Sequence, residues 1–162
     1  MTNNFTIYNA SAGSGKTFTL VKEYLLLLFE GEKNDAYKNI LAITFTNKAV
    51  DEMKSRIISS LRGFTAEKTS AKNNPLFKII AEETNLPEAA LKTKAAKILK
   101  SIIHNYAAFE VSTIDGFTHR VLRTFAKDLG LPVNFEIALN TRQILMEAVD
   151  RLISKASTDK DL

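Results

Sequence analysis

A chain of 162 residues with 45% apolar and 25% charged side chains has the composition of one ordinary folded domain rather than of a disordered segment. No cysteine and only two histidines, His104 and His119, exclude a disulfide framework and a thiolate metal site and point to a reducing, cytoplasmic setting. The N-terminus lacks a basic stretch followed by an apolar one, and the longest greasy run, Leu25 to Phe29, is too short to span a bilayer, so no membrane partner is expected. A net charge of +4, with the excess of Lys and Arg lying in residues 1–104, permits a polyanionic partner without demanding one.

In chain order, Phe5 to Tyr8 is a short β-prone run, followed by a glycine loop that feeds a helix from Lys16 to Glu30. Val21, Tyr24, Leu25 and Leu28 recur there at helical spacing, and Gly31 is the expected stop. Ile40 to Ile43 is continuously apolar, as expected of a strand covered on both faces of a parallel sheet. Thr44-Phe45-Thr46-Asn47 leads into a helix with Val50, Met53, Ile57 and Leu61 on one face and Thr46 or Asn47 as its cap. From Gly63 to about Asn74 the sequence is polar and loop-like, and Pro75 to Thr84 reads as a short helix.

Pro87 opens a stronger helix, with Leu91, Ala95, Ile98, Leu99 and Ile102 along one stripe and Lys92, Lys94, Lys97 and Lys100 expected on a solvated face. Glu110 to Ile114 is a third strand candidate. Phe117, Val121, Leu122, Phe125 and Leu129 mark a helix stopped by Gly130 and Pro132, and a last amphipathic helix is expected from about Thr141 to Lys155.

Ala10-Ser11-Ala12-Gly13-Ser14-Gly15-Lys16-Thr17 has the spacing of a phosphate loop, with Ala10 in place of its first glycine. Gly13 and Gly15 allow a turn tight enough for successive N–H groups to face phosphate oxygens, and the following helix adds the positive end of its dipole. Lys16 offers a point charge to the β- and γ-phosphates, and Thr17 a hydroxyl to Mg²⁺. ATP with Mg²⁺ is the expected ligand, held by residues 10–17 and the adjoining Phe18, with Lys16 and Thr17 in the catalytic roles.

Thr44 to Ala49 and Ser112 to Phe117 each stand where an apolar strand hands over to a helix, the place where ligands collect in open α/β sheets. Small hydroxyls and a helix N-terminus suit backbone phosphates, and Phe45 suits stacking on a base. An aromatic at a strand end is nonetheless more often a core residue.

Taken together, Ala10 to Leu20, Ala42 to Met53 and Ser112 to Phe117 resemble motifs I, Ia and Ib of the UvrD/Rep helicases of superfamily 1, and the first motif and the long helical stretch are most similar to RecB and AddA helicase-nuclease subunits. Gly130 to Ile137 resembles the segment that follows motif Ib there. The resemblance spans about residues 5 to 155. It implies an α/β, RecA-like P-loop NTPase fold, with core at residues 1–62 and 109–130, a helical insertion at 63–108 and the start of a helical accessory subdomain at 131–162. It further implies a helicase moving 3′ to 5′ on single-stranded DNA, with Phe45, Thr46, Asn47, Thr113 and Gly116 touching DNA, and a RecC/AddB-like partner subunit. Asp115 departs from the histidine usual in relatives, and the upstream glutamine motif is missing.

A motor of this kind also needs an acidic Mg²⁺ motif and arginines from a second RecA-like domain, and neither is found here. An N-terminal part of a longer protein is therefore expected, one that binds ATP without hydrolysing it at a motor's rate, whose incomplete sheet has an open edge that invites self-association. Two rivals remain. A complete small P-loop kinase would use Asp115 for Mg²⁺, against which stand the polar Ser112-Thr113 before it and the lack of an arginine-rich lid. A nonenzymatic module would use Lys92 to Lys100 as a surface for an acidic partner.

Overall fold

The computed structural model describes residues 5–8, 15–132, 135 and 141–158. Its first helix, α1 (Lys16–Glu30), follows from the apolar spacing: Val21, Tyr24, Leu25, Leu28 and Phe29 are buried, and the helix stops at Gly31, whose N–H bonds the Leu27 carbonyl. A 3₁₀ turn at Ala36–Asn39 buries Tyr37 and leads into strand β1 (Ala42–Thr44). Helix α2 (Asn47–Thr65) buries Met53, Ile57, Leu61 and Phe64, runs two residues past Gly63, and is followed by α3 (Pro75–Thr84). Helix α3 starts on Asn74, whose side-chain oxygen accepts the Phe77 N–H, with Pro75 in the first turn.

Helix α4 (Glu88–His104) buries Leu91, Ala95, Ile98 and Ile102, and a 3₁₀ turn at Tyr106–Ala108 delivers the chain to strand β2 (Val111–Thr113). Helix α5 (Ile114–Thr124) follows without a loop. The helix expected to reach Gly130 thus stops at Thr124, where the run of four-back hydrogen bonds gives way to turns, closed by the Leu131 N–H on the Ala126 carbonyl and the Gly130 N–H on the Lys127 carbonyl. The last helix, α6 (Thr141–Thr158), runs three residues beyond the expected Lys155. The chain divides into two compact units, Met1–Phe117 and Thr118–Leu162.

The first unit is helix-rich around a small parallel sheet. β1 and β2 pair in parallel with Ala42 opposite Val111, Ile43 opposite Ser112 and Thr44 opposite Thr113. Helix α2 packs on both strands and on α4, while α1 packs on α3, α2 and α4. Aromatic rings fill the middle edge to face: Tyr24 and Tyr37 both meet Phe109, and Phe64 meets Phe77 at 5.2 Å between centroids. The Tyr37 hydroxyl donates to the Ser101 carbonyl at 2.9 Å. The Tyr24 hydroxyl is buried without a partner among the described residues, and desolvation, with the nearby Glu110 charge, pushes its pKa up.

Three expectations are corrected. Phe5 to Tyr8 forms no strand: Phe5 is 80% exposed and Ile7 76%, and a β-prone run becomes a strand only where a neighbour accepts its backbone hydrogen bonds. The apolar run at Ile40 to Ile43 is covered on one face only. Ala42 turns to the core, whereas Leu41 and Ile43 are exposed, because the helices packed on this sheet lie on the α2 side.

The lysines of α4 are not all solvated. Lys94 Nζ donates to the carbonyls of Phe29 at 2.6 Å and Gly31 at 2.8 Å, and Lys92 Nζ to the Glu67 carbonyl at 2.8 Å. The last turn of α1 has no basic residue of its own, so a cation from α4 satisfies its orphan carbonyls and complements its dipole. Desolvation holds the Lys94 ammonium below its ordinary pKa. Replacing Lys94 with Met should lower unfolding stability in urea by about 1.5–3 kcal/mol, the range for a hydrogen bond to a charged group. The same change at the exposed Lys97 should stay within about 0.5 kcal/mol.

Candidate functional site

The start of α1 is built differently from the starts of α2 and α3. Its N-cap is Gly15, at φ 81° and ψ 21°, a left-handed conformation that side chains resist, and no side chain caps the helix. Lys16 is exposed, Thr17 half-buried and Phe18 44% exposed, while Ala10, Ser11, Ala12, Gly13 and Ser14 lie outside the described residues. The Thr19 N–H and hydroxyl both bond the Gly15 carbonyl, fixing the first turn.

Beside Lys16 lies a mostly apolar cavity of about 170 Å³ lined by Tyr8, Lys16, Thr19 and Leu20. Tyr8 is held there by Glu23, whose hydrogen bond raises the phenol pKa. Burial alone would raise the Glu23 carboxyl, but hydrogen bonds from Lys22 and Tyr8 outweigh it and hold the carboxyl below the usual range. Lys22 bridges Glu23 at 2.8 Å and Glu83 of α3 at 3.4 Å. The sequence reading missed this cavity. Its signal was the spacing of Lys16, Thr19 and Leu20, three and four residues apart and so on one helix face.

The parallel register brings the other candidates to one edge. Thr44 and Thr113 are opposed as the last residues of β1 and β2, so Phe45, Thr46 and Asn47 leave the sheet beside Ile114, Asp115 and Gly116. Phe45 is 87% exposed, which removes it from the core. Thr44 Oγ1 donates to the Thr46 carbonyl at 3.2 Å, tightening the turn between strand and helix.

Two threonines cap the two helices. Thr46 Oγ1 accepts the Ala49 N–H at 3.2 Å, and Thr113 Oγ1 accepts the Gly116 N–H at 3.1 Å. A hydroxyl that accepts from a helix N–H keeps its own O–H to donate outward. Gly116 is exposed, and a Cβ there would stand 3.1 Å from Thr113 Oγ1, tight enough to disturb the cap. Asp115 is exposed in the first turn of α5, where the helix dipole favours a carboxylate and accounts for it without a metal. The edge thus offers one unburied ring, two hydroxyl donors and two helix N-termini, a set that suits a chain of phosphates carrying flat bases. Among the described residues no group of three His, Asp or Glu side chains is placed to hold a metal, and no helix is long and apolar enough to cross a membrane.

Known proteins carry similar sequences. The RecBCD enzyme subunit RecB of Haemophilus influenzae is 32% identical over 158 residues, covering 89% of this chain and 13% of that protein. RecB of Escherichia coli K12 is 33% identical over 134 residues, covering 77% of this chain and 11% of that protein. An ATP-dependent helicase/nuclease protein of Lactobacillus acidophilus is 28% identical over 158 residues, covering 96% of this chain and 11% of that protein. The chain therefore spans about a tenth of the length of these relatives. No solved structure matches it. The UvrD/REP helicase N-terminal domain model matches residues 1–162, and with the RecB likeness this shows that the chain belongs to the UvrD/REP helicase N-terminal domain family.

Proposed function

We propose that this chain is the ATP-binding N-terminal part of an ATP-dependent DNA helicase that moves 3′ to 5′ on single-stranded DNA. In this reading it belongs to a cytoplasmic helicase-nuclease of recombination and repair, working with its own further domains and a RecC/AddB-like subunit. Its fold is then a RecA-like P-loop domain, with core segments at 1–62 and 109–130, an insertion at 63–108 and an accessory subdomain beginning at 131. The observation that carries the reading is the pairing of Thr44 with Thr113, which sets Phe45, Thr46 and Asn47 beside Gly116 on one edge.

The start of α1 fits a triphosphate. It lacks a side-chain cap, unlike α2 and α3, and opens on a left-handed glycine, so the backbone there suits an anion in place of a capping side chain. Bound Mg²⁺-ATP supplies the divalent charge and the phosphoryl group for transfer. Residues 10–15 would hold the phosphates, Lys16 would set a positive charge against them, Thr17 would offer its hydroxyl to the metal, and Phe18 would adjoin the nucleotide. No residue of this chain is assigned to activate water, so binding without motor-rate hydrolysis is the expectation.

At the strand ends, Thr46 and Thr113 donate to phosphate oxygens while they cap their helices, Asn47 adds a side-chain amide, Gly116 lets the backbone of DNA come close, and Phe45 stacks on a base. Lys16→Ala should weaken binding of a fluorescent ATP analogue at least tenfold in a titration with Mg²⁺ present, and an unchanged affinity would remove the loop from the site. Phe45→Ala should weaken binding of an oligothymidylate by about 1–3 kcal/mol, the worth of one stacked base. Because no phosphate contact is lost, the dependence of log K on log salt should keep its slope, whereas a shallower slope would make Phe45 part of a charge effect rather than a stacking platform.

A further inference from the structure

The strand-end edge carries a carboxylate that its phosphate contacts leave unused. Asp115 is exposed in the first turn of α5, and its side chain forms no hydrogen bond or ion pair among the described residues. Its backbone is nonetheless held, because the bond from the Gly116 N–H to Thr113 Oγ1, at 3.1 Å, closes around Ile114 and Asp115. Phe45 is held in the same manner, inside the turn that Thr44 Oγ1 closes on the Thr46 carbonyl at 3.2 Å. With Thr44 opposite Thr113, the bare ring comes one residue after the end of β1 and the carboxylate two residues after the end of β2, on strands about 5 Å apart. A stacking surface and an acceptor thus leave the sheet side by side on fixed backbone.

The chemistry of Asp115 differs from that of its neighbours. Thr46, Asn47, Thr113 and the helix N–H groups can all donate to phosphate oxygens, whereas a carboxylate only accepts and a phosphate offers it nothing. The helix dipole accounts for an acid in the first turn, but it does not call for one beside an unburied ring. What a carboxylate can take from a nucleic acid is the N–H groups of a base, and on a single strand the Watson–Crick edge is open. Guanine presents two donors side by side, at N1 and N2, which match the two carboxylate oxygens. Thymine presents only N3–H, set between two carbonyl oxygens that a carboxylate repels. We propose that Asp115 reads the base stacked on Phe45 and selects guanine over thymine. The proposal rests on the DNA-binding reading above and names a specificity-determining residue of that same site.

The test is fluorescence anisotropy of labelled oligonucleotides with the 162-residue chain in EDTA, where no divalent cation bridges the carboxylate to a phosphate. The probes are oligothymidylate and strands of the same length with alternate bases replaced by guanine or by hypoxanthine, a purine that stacks much as guanine does but lacks the 2-amino group. Wild type should bind the guanine strand about fivefold or more tightly than oligothymidylate, the low end for a two-bond base contact, and hypoxanthine should lose most of that gain. Asp115→Asn should bind every strand alike and hold oligothymidylate at least as tightly as wild type does. A preference that hypoxanthine shares, or that Asp115→Asn keeps, is stacking strength alone and overturns the proposal. An Asp115→Asn variant that loses affinity for every strand equally would make the carboxylate a support for α5 and overturn it too. Equal binding of guanine and thymine strands by a wild type that Phe45→Ala weakens removes base reading and leaves the strand-end reading standing. If wild type binds no strand, that reading fails and the proposal with it.

Discussion

Three backbone-paired positions, Ala42 with Val111, Ile43 with Ser112 and Thr44 with Thr113, decide where the rest of the first unit can go. Parallel strands cannot be joined by a tight turn, so everything between them must cross over, and α2, α3 and α4 are that crossover. Closing so long a loop costs a few kcal/mol in chain entropy, about 4 kcal/mol for its length-dependent part. The buried faces of α2 and α4 offset that cost. Met53, Ile57, Leu61 and Phe64 lie in one cluster with Leu91, Ala95, Ile98 and Ile102, and each large side chain fully buried is worth about 1.5–3 kcal/mol. Register then follows from burial. A slip of one residue in β1 would turn Ala42 away from α2 and bring Ile43 inward, exchanging a packed face for an open one on that strand.

The same pairing forces two helix starts into proximity, and the chemistry of those starts serves two ends. Thr46 and Thr113 are needed as caps, since a helix begins with unsatisfied N–H groups. The groups that satisfy the helices are also hydroxyls with a donor left over, so stability and recognition are not in competition at these positions. The start of α1 resolves the same problem in another way, leaving a glycine where α2, α3 and α5 place a capping side chain. Lys94 ties the far end of α1 to α4, which holds the helix that begins at Lys16 from its opposite terminus.

Much of this was legible in the sequence. Helix positions followed from apolar spacing at Val21 to Leu28, Met53 to Leu61 and Leu91 to Ile102, and helix ends from Gly31 and Asn74-Pro75, whereas the helix expected to reach Gly130 stops at Thr124. The strand ends at Thr44 and Thr113 were readable because an apolar run met a hydroxyl and then a helix pattern. What escaped was set by partners far away in the chain. Whether Phe5 to Tyr8 becomes a strand depends on a neighbour that local propensity does not encode, and whether both faces of β1 are covered depends on which elements pack there. Lys94 read as a solvated lysine because its acceptors, the carbonyls of Phe29 and Gly31, lie more than sixty residues earlier. The exposure of Phe45 was likewise not readable, since an aromatic residue after a strand has the same sequence signature buried or bare.

The proposed DNA-binding role rests on the edge shared by β1 and β2. The most direct measurement is photochemical cross-linking of an oligonucleotide carrying halogenated thymidine to the wild-type chain, followed by mass spectrometry of the peptides. The account predicts adducts on the peptide that contains Phe45 and on the one that contains Thr113 to Phe117. Adducts confined to α4, at the peptides that carry Lys97 and Lys100, would contradict it.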